Sequence, residues 1–230
     1  LDVDSLEEAQ GWVERLQGKV GLFKIGKQLF TKCGPEVVHL VRGSGTDVFL
    51  DLKYHDIPNT VRGAARAATE LGVAMFNVHA SGGSAMMAAA REGVEEASQA
   101  SGPAPKVIAV TVLTSIDQDI LNTECGVPGP LEGQVLRLAK LTEGAGLDGI
   151  VCSAADMSAL RGNLDPGFLF VTPGIKGTTT PAGADQKRVL SPGRAVAAGS
   201  SLLVVGRAIT GAPNRPKAAR EVLEDIAKVL

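Results

Sequence analysis

A strand-then-helix alternation repeating from one end of the chain to the other predicts an α/β protein, a (β/α)8 barrel forming one domain over residues 1–230. Short apolar runs of strand length recur, each followed by a segment with apolar residues at helical spacing. No composition break, low-complexity stretch or linker divides these units. Polar and charged residues recur at the carboxyl ends of the runs, where barrels of this kind carry their function. A doubly wound open sheet is the structural alternative. It is disfavoured because no Gly-x-Gly-x-x-Gly turn follows the first strand.

Leu1–Val3 reads as a strand entered part-way, with a few further residues expected upstream, and the start resembles neither a signal nor a transit peptide. Ser5 and Glu8 have capping-box spacing and open a helix with Leu6, Ala9, Val13 and Leu16 on one face. The second strand is Val20–Ile25, followed by a helix to about Val41; the third contains Val48-Phe49-Leu50. Val61, Ala64, Ala65, Ala68 and Leu71 mark the next helix, and Ala74–Val78 the fourth strand. A helix from about Gly83 to Ala97 carries Met86 and Met87, which read as core rather than cofactor contacts. Later strands are Val107–Leu113, Gly149–Cys152, Phe168–Thr172 and Ser201–Val205, with helices near Leu131–Leu141, briefly after Cys152, and from Ala219 to Leu230.

Bulk composition excludes several classes. Hydrophobic residues make up 44%, ample for a core, and a net charge of −2 gives no reason to expect nucleic acid or an anionic membrane as partner. No apolar run approaches the ~20 residues a membrane helix needs. Cys33, Cys125 and Cys152 are odd in number and far apart, and read as reduced thiols of a cytoplasmic protein. His39, His55 and His79 lack metal-ligand spacing, so no metal is expected.

The chemistry concentrates in Asp51-Leu52-Lys53-Tyr54-His55-Asp56-Ile57-Pro58-Asn59-Thr60. Alternation along a strand puts Phe49, Asp51 and Lys53 on one face and Val48, Leu50 and Leu52 on the other. Opposite charges two apart at the tip of an apolar strand are poorly explained by packing. Asp56 precedes Ile57-Pro58 and belongs in the loop, because proline disfavours helix at the residue before it. Lys24, at the end of the second strand, needs an anionic partner if buried, and an alternation Lys24–Asp51–Lys53–Asp56 would satisfy every member. A second constellation follows the seventh strand. Thr172 to Gln186 is a long Gly/Thr-rich loop suited to a mobile lid, and the eighth strand ends in Gly206-Arg207 before a helical turn. Backbone N–H groups plus a guanidinium suit a phosphate.

At these residues the chain resembles the orotidine 5′-monophosphate decarboxylase family, whose Asp-x-Lys-x-x-Asp-Ile-Pro-x-Thr signature is matched throughout by Asp51, Lys53, Asp56, Ile57, Pro58 and Thr60. Superfamily relatives that use Mg²⁺ and an enediolate share Asp-x-Lys-x-x-Asp, but the Ile57-Pro58-Asn59-Thr60 continuation argues against them, and the intact Asp51, Lys53 and Asp56 argue against a non-catalytic nucleotide sensor. The resemblance implies cofactor-free conversion of orotidine 5′-monophosphate to UMP and CO₂ by a homodimer with shared sites. It implies that Asp2 and Lys24 bind ribose hydroxyls, with Lys24 also in the charge network. Asp51 would face the substrate carboxylate, Lys53 would donate the proton, and Asp56 and Thr60 would reach the partner subunit's site. Thr114 would contact the pyrimidine, Gln186 would bridge base and phosphate, Gly206 and Arg207 would hold the phosphate, and Ile57 and Lys176 would complete the substrate contacts. The family commonly has arginine where this chain has Lys176, which keeps the charge but not the bidentate fork. His79, in Asn-Val-His-Ala, reads as architecture of the barrel mouth rather than as a catalyst.

Overall fold

Among the described residues, seven parallel strands form one sheet whose order follows the chain: β1 (Leu22–Gly26), β2 (Asp47–Tyr54), β3 (Met75–His79), β4 (Lys106–Val110), β5 (Gly149–Val151), β6 (Leu169–Thr172) and β7 (Leu202–Leu203). This is seen in a computed structural model that describes residues 1–177 and 190–230. Parallel neighbours need a crossover, and helical segments separate each successive pair. A doubly wound sheet reverses its strand order part-way, so the unbroken order from β1 to β7 excludes that alternative.

The sheet curls. Phe49, Met75, Ile108 and Val171 form one buried cluster with Leu22, Val151, Leu169, Leu202 and Val204 packed against it, so every strand contributes to a single interior. The outer faces pack on helices in a larger core that includes Ile25, Leu50, Phe76 and Ile150, each fully buried. Met86 and Met87 belong to that core, as expected from sequence.

The first of the eight expected strands, at Leu1–Val3, is not formed. The Leu1 ammonium donates to the Lys24 carbonyl at 2.7 Å and Val3 is buried, so the segment lies against β1 without forming a ladder with it. The result is a curled seven-stranded sheet, with an apolar cavity of about 500 Å³ bordered by β1 and β7 residues such as Leu22, Phe23, Leu202 and Leu203. The Ser5–Glu8 capping signal is half realised: Ser5 Oγ accepts from the Glu8 N–H, whereas the Glu8 carboxylate takes the N–H of Asp4 rather than of Ser5.

The helix after β2, Pro58–Glu70, starts with proline in its first turn, where a missing N–H costs nothing. It packs closely on the helix Ser84–Ser101: a Cβ on Gly93 would lie 2.3 Å from the Arg62 carbonyl oxygen. That contact requires glycine, and it fixes the start of the helix that follows the charged end of β2. Among the described residues none of the cysteines forms a disulfide, and no helix is long and apolar enough to cross a membrane.

Candidate active site

Asp51 is the centre of the charged cluster. The residue is 8% exposed, and its carboxylate takes the Lys24 ammonium at 3.0 Å on one oxygen. Its other oxygen takes the Lys53 ammonium at 2.5 Å and the Asn77 amide at 2.7 Å. Burial pushes the carboxyl upward, but the two ammonium groups and the hydrogen bonds from Lys53 and Asn77 outweigh it and hold it down at about 2. Lys24 is on β1, Asp51 and Lys53 on β2, and Asn77 on β3, so three adjacent strands assemble the cluster.

The backbone at Lys53 departs from a regular strand. Pairing of β2 with β3 runs Phe49 with Met75 and Leu50 with Phe76, then resumes at Tyr54 with Val78. Four steps on β2 are matched by two on β3, so β2 bulges between Leu50 and Tyr54. Lys53 lies within the bulge at φ 53°, the one non-glycine residue with positive φ among the described residues. A left-handed conformation costs an ordinary L-residue roughly 1–2 kcal/mol. The Lys53 N–H is instead satisfied by the Asn77 side-chain oxygen at 2.8 Å.

A cavity of about 590 Å³ opens at this end of the sheet. It gathers Asp2, Lys24, Asp51, Lys53, Thr114, Gly206 and Arg207 from the residues expected at the site, and Phe49 with them, so the face expected for Phe49, Asp51 and Lys53 is the face observed. Val110, Val112, Val151, Cys152, Pro173 and Ile175 give it an apolar wall. Asp56, Ile57, Thr60 and Lys176 are exposed and do not line it; Ile57 is 67% exposed, and Asp56 Oδ1 accepts the Ile57 N–H at 2.7 Å. The contact expected from Lys176 is therefore not made within this cavity. Gln186 lies outside the described residues, as does most of the loop read as a lid.

Asn77 is the residue that sequence reading passed over. Its signal was a polar amide inside the apolar strand Met75-Phe76-Asn77-Val78, on the side that bears Met75 and the interior cluster. His79, at the end of the same strand, is half-buried and outside the cavity lining; its ring centroid lies 5.6 Å from that of His55. Burial lowers its pKa, as do the positive charges of His55, Lys27 and Lys53 against the opposing pull of Asp51, to about 4. Among the described residues no group of three or more His, Cys, Asp or Glu side chains is placed to hold a metal ion.

A curled parallel sheet with its ions, apolar wall and arginine gathered around one mouth defines an α/β enzyme fold built for a small polar ligand. The chain belongs to the orotidine 5′-phosphate decarboxylase / HUMPS family, whose model matches residues 1–222. It is 50% identical to orotidine 5′-phosphate decarboxylase of Syntrophotalea carbinolica, over all of this chain and 94% of that protein. It is 48% identical to the protein of the same name from Moorella thermoacetica, over all of this chain and 91% of that one. Among solved structures it resembles orotidine 5′-phosphate decarboxylase from Lactobacillus acidophilus with a TM-score of 0.86 and 38% identity, covering 98% of this chain and 96% of that chain.

The depressed His79 makes stability depend on pH. With a folded value of about 4 against an ordinary 6.5, the unfolded chain binds the additional proton between these limits. The contribution is therefore complete above pH 6.5 and is lost as pH falls from 6.5 towards 4. Urea unfolding at pH 7.5 and 4.5 should show a smaller loss of stability for His79→Gln than for the wild type. Equal losses would mean that His79 is not held neutral.

Proposed function

We infer that this protein decarboxylates orotidine 5′-monophosphate to UMP and CO₂, the last step in making UMP in pyrimidine biosynthesis, without a cofactor. Family membership supports the reaction, and the observation that supports the chemistry is the Lys24–Asp51–Lys53 cluster at one end of the cavity with Arg207 also on its wall. Breaking the bond to the carboxylate leaves its electron pair on a ring carbon, in the ring plane, where no π system can spread it. Lys53 supplies the positive charge that stabilises this carbanion and then transfers a proton to it, giving UMP and a neutral amine that solvent reprotonates.

Asp51 beside the substrate carboxylate adds repulsion, but two unit charges ~4 Å apart at an effective dielectric of 20 interact by only about 4 kcal/mol. A demanding enzymatic acceleration needs on the order of 20 kcal/mol. Two ammonium groups around one carboxylate also leave the cluster net positive, so it attracts an anionic substrate overall. Preorganised charge and remote binding energy must supply most of the acceleration. In this reading Asp2 and Lys24 hold the ribose, Thr114 contacts the pyrimidine, and Gly206 with Arg207 holds the phosphate.

Asp56 and Thr60 are assigned to the site of a second subunit in a homodimer, with Ile57 beside them; their exposure and their place outside this chain's own cavity lining support that role. The complete (β/α)8 barrel is part of the same proposal, with Leu1–Val3 alongside β1 and the apolar cavity between β1 and β7 as the place of the remaining strand. A cytoplasmic location fits thiols without disulfides.

The reaction is tested by ultraviolet assay of orotidylate consumption. Lys53→Ala should abolish it while the folded protein still binds UMP; near-normal turnover by the variant would sink the mechanism. With orotidine lacking its phosphate, kcat/KM should be very low. Arg207→Ala should lower kcat/KM for the phosphorylated substrate by at least ~100-fold, about 2.7 kcal/mol, and matter little for the phosphate-free one. Equal damage with both substrates would remove Arg207 as the phosphate ligand.

The shared site has its own test. Mixing inactive Lys53→Ala and Asp56→Ala chains should restore activity, because one hybrid site would join Lys53 and Asp56. Fully exchanged heterodimers without recovery would show each subunit to be self-sufficient.

A further inference from the structure

We propose that Asn77 is a positioning residue for the decarboxylation: its single side-chain amide sets the Lys53 ammonium and the Asp51 carboxylate against one another. The proposal rests on the decarboxylase reading and deepens it.

Asn77 is 1% exposed. A buried primary amide needs partners, and both of its ends find them on β2 within two residues of one another. The NH₂ donates to Asp51 Oδ1 at 2.7 Å, and the carbonyl oxygen accepts from the Lys53 backbone N–H at 2.8 Å. The second bond matters because Lys53 occupies a bulge, where the strand ladder offers its N–H no regular partner. The amide oxygen replaces the missing ladder acceptor, and so holds the lysine backbone at φ 53°, in a conformation the residue would otherwise leave. The first bond fixes which carboxylate oxygen faces Lys53, since Oδ1 takes both the amide and the Lys53 ammonium while Oδ2 takes Lys24. The backbone from which the lysine side chain springs and the carboxylate at which it is aimed are thus tied to one rigid planar group on the neighbouring strand.

Packing alone accounts poorly for this amide. The interior side chains one layer below, Phe49 and Met75, and Ile108 in register with Asn77 on β4 are apolar, and an aliphatic residue at 77 would fill the same wall without a desolvation cost. It would leave the Lys53 N–H without an acceptor and free the Asp51 carboxylate to rotate between its two lysines. Asn77 lines the cavity, but its two hydrogen-bonding ends are committed to Asp51 and Lys53, so its loss should affect the chemical step rather than substrate affinity.

The experiment compares wild type, Asn77→Ala and Asn77→Asp for kcat, KM, UMP affinity, pH profile and melting temperature. Asn77→Ala should lower kcat by about 100-fold, the scale expected for a 1 Å misplacement, with KM and the UMP Kd changed by no more than about threefold. Asn77→Asp keeps the shape and an acceptor for the Lys53 N–H, but faces Asp51 with oxygen against oxygen. It should lose at least as much kcat and move the acid limb of the kcat profile to higher pH, as two carboxylates come to share a proton. If the alanine variant does not fold, the near-isosteric aspartate variant carries the test. Variants with kcat within threefold of wild type, or with kcat and UMP affinity falling in proportion to lost thermal stability, would overturn the proposal. A wild-type protein that leaves orotidine 5′-monophosphate intact would overturn the decarboxylase reading and the Asn77 role with it. Active wild type with unaffected variants would remove the Asn77 role alone.

Discussion

A carboxylate buried at the mouth of an apolar sheet demands compensation, and the compensation of Asp51 organises this site. Removing an ion from water costs several kcal/mol even after relaxation, unless partners of opposite charge and hydrogen-bond donors replace the solvent. Asp51 has both: Lys24 from one neighbouring strand, Lys53 from its own, and the Asn77 amide from the strand on the other side. The positive charge at the mouth is held in place by the carboxylate between its two lysines. Long, flexible lysine side chains are poor point electrodes when left free in solvent. Anchored on a common carboxylate they become a preorganised field, which is what a reaction that develops carbanion charge can use.

The backbone follows the same demand. A regular β2 would put Asp51 and Lys53 on one face by simple alternation, with each N–H in the ladder. Instead the strand bulges, Lys53 turns to positive φ, and an amide side chain completes the hydrogen bonding. Strain of this kind persists only where surrounding structure over-determines it. Here the surroundings are the fully buried Leu50 and Phe76 on the outer face and the Phe49–Met75 cluster within. Downstream, the close approach of Gly93 to Arg62 fixes the helix that begins at Pro58 and so the exposed segment from Asp56 to Thr60.

Much of this was legible in the sequence because charge is conspicuous in apolar strands. Period-two patterning gives the face that Asp51 shares with Phe49, and the strand–helix alternation gives the succession of strands, whereas Lys53 reaches the same cavity through the bulge. Asn77 escaped because its partners are set by register across strands, and a bulge two residues deep cannot be read from either strand alone. The strand expected at Leu1–Val3 is a different case: apolar character marks burial, which Val3 has, but does not by itself specify a ladder partner. Asp56 lies in the loop, as the proline at 58 predicts, but it is exposed and does not join Lys24, Asp51 and Lys53 in the cavity, so the expected alternation does not extend to it. Lys176 likewise follows the buried Ile175 but turns outward.

The charge array at the mouth of the sheet depends on the state of Asp51 between its two lysines. Carbon-13 NMR of the Asp51 carboxyl, assigned by comparison with Asp51→Asn and followed as a function of pH, measures it directly. The network described here predicts a carboxyl that stays ionised down to a pKa of about 2. A pKa at or above the ordinary value of about 3.9 would mean that burial outweighs the ammonium groups, and that no fixed charge array exists at the mouth of this sheet.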